Sequence, residues 1–483
     1  MENTVFAAYT PESIQMNLLF LLVSCSTLIT ANKQPQQEAY PIYEQDKTPA
    51  LEYRTRRATL KQKIGAGNYA LFFTNPEHQR NNDVDFQFRP ESNFYYLTGF
   101  EEPGAALLLA PDGIEVNGKK STEVLFCKSR NPGAETWTGV IMGPERAPSV
   151  TGIETCVSVD SFASVLAAIK SGSVTTAGVP EGATNELKAM ESVWDAWMKA
   201  NDGTVKVSRA YGRALGSMRE IKSDVEIRLL KKAIDNSVLG HIEAMRACEP
   251  GITEYQIAAI VEYMFKRNGS EYVGYPCIVG SGANSCILHY ESNRKTTQAG
   301  EIICMDCGAE YHGYSADVTR SFPVNGKFSA PQKAIYELVL KAQDAGIAAC
   351  IAGKPFGSAD RVARQIIGDG LVALGIIKEA RESSRYFMHG TSHHIGLDVH
   401  DLSSSGTLHA NMVLTVEPGI YIKPGSPCDK KWWGIGVRIE DDIQITPKGP
   451  VNMSAGAPRT VSAIEKLMAE TGIGNIVAKP YKG

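Results

Sequence analysis

The stretch "MDCGAEYHGYSADVTR", residues 305–320, decides how the carboxyl-terminal half of this chain is interpreted. It continues the apolar run 302–305, which is typical of a buried strand, yet it contains Asp306 and Asp317. Burying an unpaired carboxylate is costly, so two acids in one buried strand pair require a partner. The question is therefore what these two aspartates bind.

A hairpin explains how the two aspartates come together. If His312-Gly313 forms a two-residue turn, Asp306 lies opposite Thr319 on the returning strand. Asp317 then lies on the same face, and diagonal neighbours across a strand pair are about 7–8 Å apart. The two carboxylates can then converge on one metal ion or a close metal pair. A slip of one residue would separate them, and a pair of solvent-exposed hairpin acids is the alternative.

Four clustered histidines follow in "FMHGTSHHIGLDVHD", residues 387–401. They are His389, His393, His394 and His400, and histidine is the commonest metal ligand as well as a frequent proton carrier. Their spacing among glycines favours a site over four isolated core or surface residues.

Two further acids interrupt apolar strands near the carboxyl end. Glu417 breaks the run "MVLTVEPGIYI", residues 412–422. The alternating segment 436–446, "GVRIEDDIQIT", places Arg438 and Glu440 on one face. A simple ion pair between Arg438 and Glu440 is the alternative to a role in a site.

Together, these residues have the side chains that a metal site requires. Several carboxylates and one imidazole suit two divalent cations, with some carboxylates bridging the pair. Two metals about 3.5–4 Å apart lower the pKa of a shared water and supply hydroxide. A nearby glutamate can accept the water's proton, and histidines can stabilise an oxyanion. No G-x-S-x-G, P-loop or H-E-x-x-H motif competes for these residues, so the sequence predicts a metal-dependent hydrolase.

Length and composition limit the classes of protein to which this chain can belong. A chain of 483 residues predicts two domains, and 43% hydrophobic and 21% charged residues are typical of a soluble globular protein. A net charge of −4 argues against nucleic acid as a partner. Short strand-like runs and helices predict an α/β domain over 53–200, and longer helices with charged strands predict an α+β domain over 220–470. The segment 196–222 is the expected junction.

The amino terminus differs from the rest of the chain. Residues 16–31, "MNLLFLLVSCSTLITA", resemble the apolar part of a signal peptide, and Leu22–Cys25 also fits a lipoprotein cleavage motif. We expect a leader over 1–31, a linker over 32–52 and export to the periplasm or lipid anchoring through Cys25. A cytoplasmic protein is the alternative, because the nine later cysteines lie mostly among apolar neighbours as buried free thiols do.

Five motifs in order across about 270–446 carry a family resemblance. They are "CILHYESN", "MDCGAEYHGYSADVTRSFPVNGKFS", "MHGTSHHIGLDVHD", "LTVEPGIYI" and "GIGVRIEDDI". The chain resembles the metal-dependent pita-bread peptidases, most closely the aminopeptidase P (Xaa-Pro aminopeptidase) family. Residues 80–109 resemble that family's amino-terminal domain. The resemblance implies an α+β fold: a pita-bread catalytic domain preceded by a smaller α/β domain.

The resemblance also assigns roles to residues. It implies two divalent metal ions, most often Mn²⁺ with Co²⁺ or Zn²⁺ as substitutes, held by Asp306, Asp317, His393, Glu417 and Glu440. Asp317 and Glu440 would bridge the metals, and Glu417 would also accept a proton. The remaining matches are the catalytic or auxiliary residues His289, His389, His400 and Arg438, the substrate-binding residues Tyr275 and Asp83, and Trp137 near the substrate or an oligomer contact.

The implied reaction is hydrolysis of the amino-terminal Xaa–Pro bond of peptides by a homodimer or homotetramer. A prolidase restricted to Xaa-Pro dipeptides is the alternative. A metal-free pita-bread binding module is a remote one, because it should lack several of the five ligands. The loop "LSSSGTLHA", residues 402–410, is shorter than in many members, which leaves subsite preference open. We expect His394 to lie on the surface or behind the ligands.

Overall fold

The computed structural model describes residues 43–178 and 185–477. The predicted leader and Cys25 lie outside these residues, so export stays a prediction. Within the described ranges, no helix combines the length and apolarity that a membrane crossing requires.

A mixed six-stranded sheet forms the centre of the amino-terminal half, in the strand order β6-β5-β4-β1-β7-β8. Its apolar residues, including the stacked Trp194 and Trp197, make a core of their own. The strands of this half are β1 (Asn68–Phe73), β2 (Gln79–Asn81), β3 (Val84–Asp85), β4 (Ala106–Val116), β5 (Lys119–Cys127), β6 (Cys156–Ser158), β7 (Gly172–Thr176) and β8 (Val205–Ser208). The helices are α1 (Ala50–Ile64), α2 (Ser92–Thr98), α3 (Pro132–Thr138), α4 (Gly143–Thr151), α5 (Phe162–Leu166), α6 (Asn185–Ala200) and α7 (Tyr211–Arg219).

The strand-like runs of the sequence become strands β1, β4 and β5 of this sheet. Strand β8 pairs with β7 beyond residue 200, inside the segment that we expected to be a junction. Its polar sequence "VKVS" has only partly buried or exposed side chains, so hydrophobic alternation could not reveal it.

Long capped helices cover the carboxyl-terminal half. Ser223 caps the helix that begins at Asp224 and forms a capping box with Glu226, and Ser329 caps the helix that begins at Ala330. The helices are α8 (Asp224–Ala247), α9 (Glu254–Arg267), α10 (Ala330–Ala349), α11 (Ser358–Ala373), α12 (Val461–Leu467) and α13 (Ile473–Val477). They pack against the strands through a large apolar core.

The strands between these helices form several short sheets rather than one continuous sheet. The orders are β10-β11-β14, β13-β12-β9, β15-β18-β19 and β16-β17. A single bridge between Thr319 and Glu440 joins the hairpin region to the last strands. The strands are β9 (Tyr272–Val273), β10 (Ile278–Ser281), β11 (Ile302–Asp306), β12 (Ala309–Tyr311), β13 (Tyr314–Ser315), β14 (Thr319–Pro323), β15 (Val413–Val416), β16 (Gly419–Ile422), β17 (Ile435–Arg438), β18 (Asp441–Thr446) and β19 (Gly449–Asn452).

The predicted hairpin register is confirmed. Asp306 pairs with Thr319, and Tyr311 pairs with Tyr314 across the two-residue turn. Gly308 permits the close approach in between, because a Cβ there would lie 1.9 Å from the carbonyl oxygen of Ala316. The register therefore keeps Asp306 and Asp317 at the same end of the strand pair.

The cysteines behave as predicted from their apolar neighbours. All nine cysteines of the described residues are free thiols, and seven of them are buried. Cys304 and Cys307, the formal C-x-x-C pair, belong to this buried set. They contribute to packing of the core around β11.

His312, at the turn of the hairpin, is a buried ion-pair centre. Its Nδ1 lies 2.6 Å from Glu271 Oε1, and its Nε2 lies 3.2 Å from Asp46 Oδ1. Burial alone would lower the pKa of His312, but the hydrogen bonds and charges of these acids outweigh it and raise the pKa above the ordinary 6.5. This stabilisation is fully present below pH 6.5 and is lost as the pH rises through the folded-state pKa.

We expect His312→Asn to destabilise the protein in a pH-dependent way. Asparagine tolerates the positive φ of +48° at this position but cannot carry the charge. The free energy of unfolding should fall by about 1.5 kcal/mol at pH 6, since water partly screens the half-exposed Asp46, and by less at pH 9. Urea unfolding at the two pH values measures this difference, and an equal loss at both would contradict it.

Candidate metal centre

The hairpin holds its two aspartates in a buried position. Asp306 is 7% exposed and Asp317 is 5% exposed, so the alternative of two solvent-exposed acids is wrong. The Tyr275 hydroxyl lies within hydrogen-bond distance of both, at 2.6 Å from Asp317 Oδ1. Tyr275, a predicted substrate-binding residue, thus joins the two carboxylates from the segment before β10.

Arg438, the last residue of β17, orients Asp306. Its Nη2 donates to Asp306 Oδ2 at 2.6 Å, and its Nε donates to Thr319 Oγ1 at 3.0 Å. Its contact with Glu440 is longer, at 4.0 Å. The simple Arg438–Glu440 pair is therefore not the main interaction of Arg438.

His393 presents a nitrogen to the acids. Its Nδ1 lies 3.1 Å from the His394 carbonyl oxygen, which makes Nδ1 a donor and directs Nε2 towards the acids. Nε2 lies 3.3 Å from Asp317 Oδ2 and 3.5 Å from Glu417 Oε1. Burial lowers the pKa of His393, but the hydrogen bond and charge of Asp317 and the charge of Glu417 raise it overall to about 9.

The two glutamates complete the set. Glu440 is 2% exposed and accepts a 2.6 Å hydrogen bond from Thr319 Oγ1. Glu417 follows β15, and its backbone N–H donates to the Thr391 carbonyl. Burial raises the pKa of Glu417 to about 7, and burial together with neighbouring carboxylates raises the pKa of Glu440 as well.

The donor set fits divalent cations. Ligand atoms of Asp317, His393 and Glu440 lie within 4.8 Å of one another, and Asp306 and Glu417 line the same cavity. Burial raises the pKa values of Asp306, Glu417 and Glu440, and repulsion from the neighbouring carboxylates raises them further. Positive charge bound among them would relieve it, and oxygen-rich sites with one imidazole suit hard or borderline divalent metals.

One cavity of about 570 Å³ contains almost the whole predicted site. Its wall includes all five predicted ligands together with Tyr275, His289, His389, His400 and Arg438. Asp83 does not line it: this residue is exposed beside the short hairpin of β2 and β3. Trp137 is 89% exposed on α3. A substrate or oligomer contact for these two stays a prediction.

His389 is held as a neutral imidazole. Its Nδ1 lies 2.7 Å from the Gly390 carbonyl and its Nε2 lies 2.8 Å from the Tyr421 hydroxyl. Burial and the charge of Arg438 lower the pKa of His389 to about 4. His394 is buried and stacks on Phe356, so of its two predicted positions the one on the surface is wrong and the one behind the candidate ligands agrees with the structure. Its backbone carbonyl accepts the hydrogen bond from His393 Nδ1 and so orients the His393 ring.

Sequence reasoning missed three residues behind the ligands. Tyr421 accepts a 2.9 Å hydrogen bond from Arg438 and links that residue to His389. Thr319 binds both Arg438 and Glu440. The fully buried Arg320 donates to the Glu440 carbonyl at 2.6 Å and to Asp441 Oδ1 at 2.7 Å. The sequence feature that could have indicated these three residues is their charge or hydroxyl group on strands that lie beside the candidate ligands.

The fold and this centre define a class of enzyme, the metallopeptidases. Residues 228–447 match "Metallopeptidase family M24", and residues 53–176 match "Aminopeptidase P, N-terminal domain". The chain is 38% identical to the Xaa-Pro aminopeptidase of Haemophilus influenzae over 436 residues, 87% of this chain and 98% of that protein. It is 35% identical to the Escherichia coli Xaa-Pro aminopeptidase, over 86% and 97%. The chain belongs to the Xaa-Pro aminopeptidase family within the M24 metallopeptidases.

Solved structures agree with this assignment. A variant of E. coli aminopeptidase P in complex with substrate matches with a TM-score of 0.81 and 33% identity, over 88% of this chain and 99% of that one. Zinc-substituted E. coli aminopeptidase P in complex with product matches with a TM-score of 0.80 at the same identity and coverage. The predicted fold class and the predicted hydrolase class are confirmed. Family membership implies divalent metal ions in this centre.

Proposed function

We propose that this protein is an Xaa-Pro aminopeptidase that hydrolyses the bond between an amino-terminal residue and a following proline. The observation that carries the proposal is the convergence of all five candidate ligands and three histidines on one cavity, in a chain whose relatives of this name match over nearly their whole length. A metal-free binding module does not need such a set.

The candidate ligands are Asp306, Asp317, His393, Glu417 and Glu440. Two divalent cations held there would supply Lewis acidity to an attacking water and to the scissile carbonyl. Glu417 lines the same cavity, and its carboxylate would accept a proton from the water and return it to the leaving proline nitrogen. His289 and His400, on the cavity wall, would donate to the oxyanion.

We propose Mn²⁺ as the working metal. Four carboxylates and one imidazole form a mainly hard donor set, which suits Mn²⁺, and no cysteine thiol lines the cavity among the described residues to favour a softer ion. Co²⁺ and Zn²⁺ accept the same donors, and a zinc-substituted relative binds product. Activity of metal-stripped protein after addition of each ion separates them.

We also propose that copies of this chain associate as a dimer or tetramer. The amino-terminal half exposes large apolar residues, Trp137 at 89% and Phe86 at 58%, and contact with a second copy would remove them from water. Light scattering coupled to size exclusion measures the mass, and a monomer at micromolar concentration would contradict this proposal.

A peptide panel tests the proposed reaction. We expect Mn²⁺-loaded protein to release the first residue from Xaa-Pro-Xaa tripeptides and longer peptides, and to leave a matched Xaa-Ala-Xaa peptide intact. Cleavage of Xaa-Pro dipeptides alone would show a prolidase instead. Absence of cleavage after proline in every peptide would contradict the proposed function.

A further inference from the structure

The imidazole of His400 is placed by its backbone. It is exposed at the cavity wall, and its ring centroid lies 4.2 Å from that of His393. No hydrogen bond to another described residue holds the ring. Its distance from the ligands therefore depends on the loop that carries it, residues 394–401.

A buried charge cluster holds this loop directly after His400. Asp401 accepts hydrogen bonds from Arg219 Nη2 and from Lys222 Nζ, the latter at 3.0 Å. Arg219 and Lys222 are each 1% exposed, and the Asp401 side chain is 2% exposed. A buried carboxylate between two buried cations has little freedom to move, because any displacement leaves charge uncompensated.

Gly396 makes room for the cluster. A Cβ at this position would lie 2.1 Å from Asp401 Oδ2 and 3.3 Å from the Lys222 side chain. The loop therefore folds back on itself so closely that only glycine fits. Even one added methyl group would push Asp401, and His400 beside it, out of place.

The amino-terminal half adds further contacts to the same loop. Ser92 Oγ, in α2, donates to Asp398 Oδ1 at 2.6 Å. Arg89 Nη2 donates to the Leu397 carbonyl at 2.6 Å. Arg219, at the end of α7, also binds Asp398 at 2.7 Å. Residues of the amino-terminal half thus hold the loop that carries His400.

We propose that the loop clamp, defined as Arg219, Lys222, Gly396 and Asp401, is a positioning device for His400, and that the amino-terminal half acts in catalysis through it. The proposal rests on the proposed function, in which His400 donates to the oxyanion. Such donors act only within a narrow geometry, and a misplacement of about 1 Å can cost about 10²-fold in rate.

A double-mutant cycle with Gly396→Ala and His400→Ala tests the clamp. Gly396→Ala should lower kcat on an Xaa-Pro-Xaa tripeptide about 10-fold, with KM and the stoichiometry of bound Mn²⁺ unchanged. In a His400→Ala background, the same substitution should cause no further loss of kcat. Independent, multiplying effects would contradict the proposal, because a general loss of structure does not depend on His400.

A milder variant and a control complete the experiment. Ser92→Ala removes the hydrogen bond to Asp398 and the one that Ser92 Oγ accepts from Arg89, and it leaves the buried charges paired. We expect about a 3-fold loss of kcat that again disappears without His400. Asp235→Asn breaks an exposed ion pair with Lys231 on α8 and should leave kcat unchanged. An unaltered kcat in both Gly396→Ala and Ser92→Ala would overturn the clamp. Inactive wild-type protein would contradict the proposed function, whereas an active enzyme with a multiplicative cycle contradicts the clamp alone.

Discussion

Replacing Asp317 with alanine should nearly abolish hydrolysis of Xaa-Pro peptides. Asp317 lies at the centre of the candidate ligands, within reach of His393 and joined to Asp306 through Tyr275. Its loss removes a carboxylate that we expect to bridge the metals. We expect kcat/KM to fall about 10³-fold or more, near 4 kcal/mol in the barrier, together with loss of at least one bound ion.

Two comparisons make the Asp317 experiment specific. Asp317→Asn keeps the shape of the side chain and removes its charge, so it should lose metal almost as completely as alanine does. Asp195→Ala removes an exposed carboxylate on α6 and should leave metal content and rate unchanged. Full activity of Asp317→Ala would refute the proposed metal centre.

Glu417→Gln has the second largest expected effect. The amide keeps one oxygen and the shape of the side chain, but it cannot accept a proton. Since general base catalysis typically contributes about 10²–10⁴-fold, kcat should fall by an amount in this range, with a smaller change in KM. Steady-state kinetics under saturating Mn²⁺ separates the two constants.

The interpretation of Glu417→Gln depends on its metal content. Elemental analysis should find the variant metal-loaded, in contrast to Asp317→Ala. Glu249→Gln, an exposed acid between α8 and α9, is the matched control and should behave as wild type. A fully loaded Glu417→Gln protein with an unchanged kcat would exclude Glu417 as the proton acceptor.

Local patterns determined what the sequence could predict. The hairpin register follows from a two-residue turn, and the starts of α8 and α10 follow from capping residues. The positions of Asp306 and Asp317 could therefore be derived without the structure. The distant candidate ligands His393, Glu417 and Glu440 could be tied to them only through the family's motifs, because no local rule connects segments so distant along the chain.

The hydrogen bonds behind the candidate ligands could not be predicted either, because their partners are also distant along the chain. Arginine and aspartate usually lie on the surface of a protein, yet Arg320 and Asp441 are both fully buried and pair with each other. Tyr421 has the appearance of an ordinary core residue in an apolar strand, and its hydroxyl partners come from other segments. The loop clamp joins Lys222 to Asp401 across 179 positions of the chain. Such contacts depend on tertiary packing that residue patterns do not encode.

The central claim is that this enzyme cleaves Xaa–Pro bonds with a pair of divalent metals held by these five side chains. The most direct measurement is a titration of metal-stripped protein with Mn²⁺, in which bound ions per chain and the rate of Xaa-Pro-Xaa cleavage are recorded together. We expect no activity without metal and a rate that reaches its maximum as binding approaches two ions per chain. Full activity in stripped protein, or saturation with fewer than one ion per chain, would contradict it.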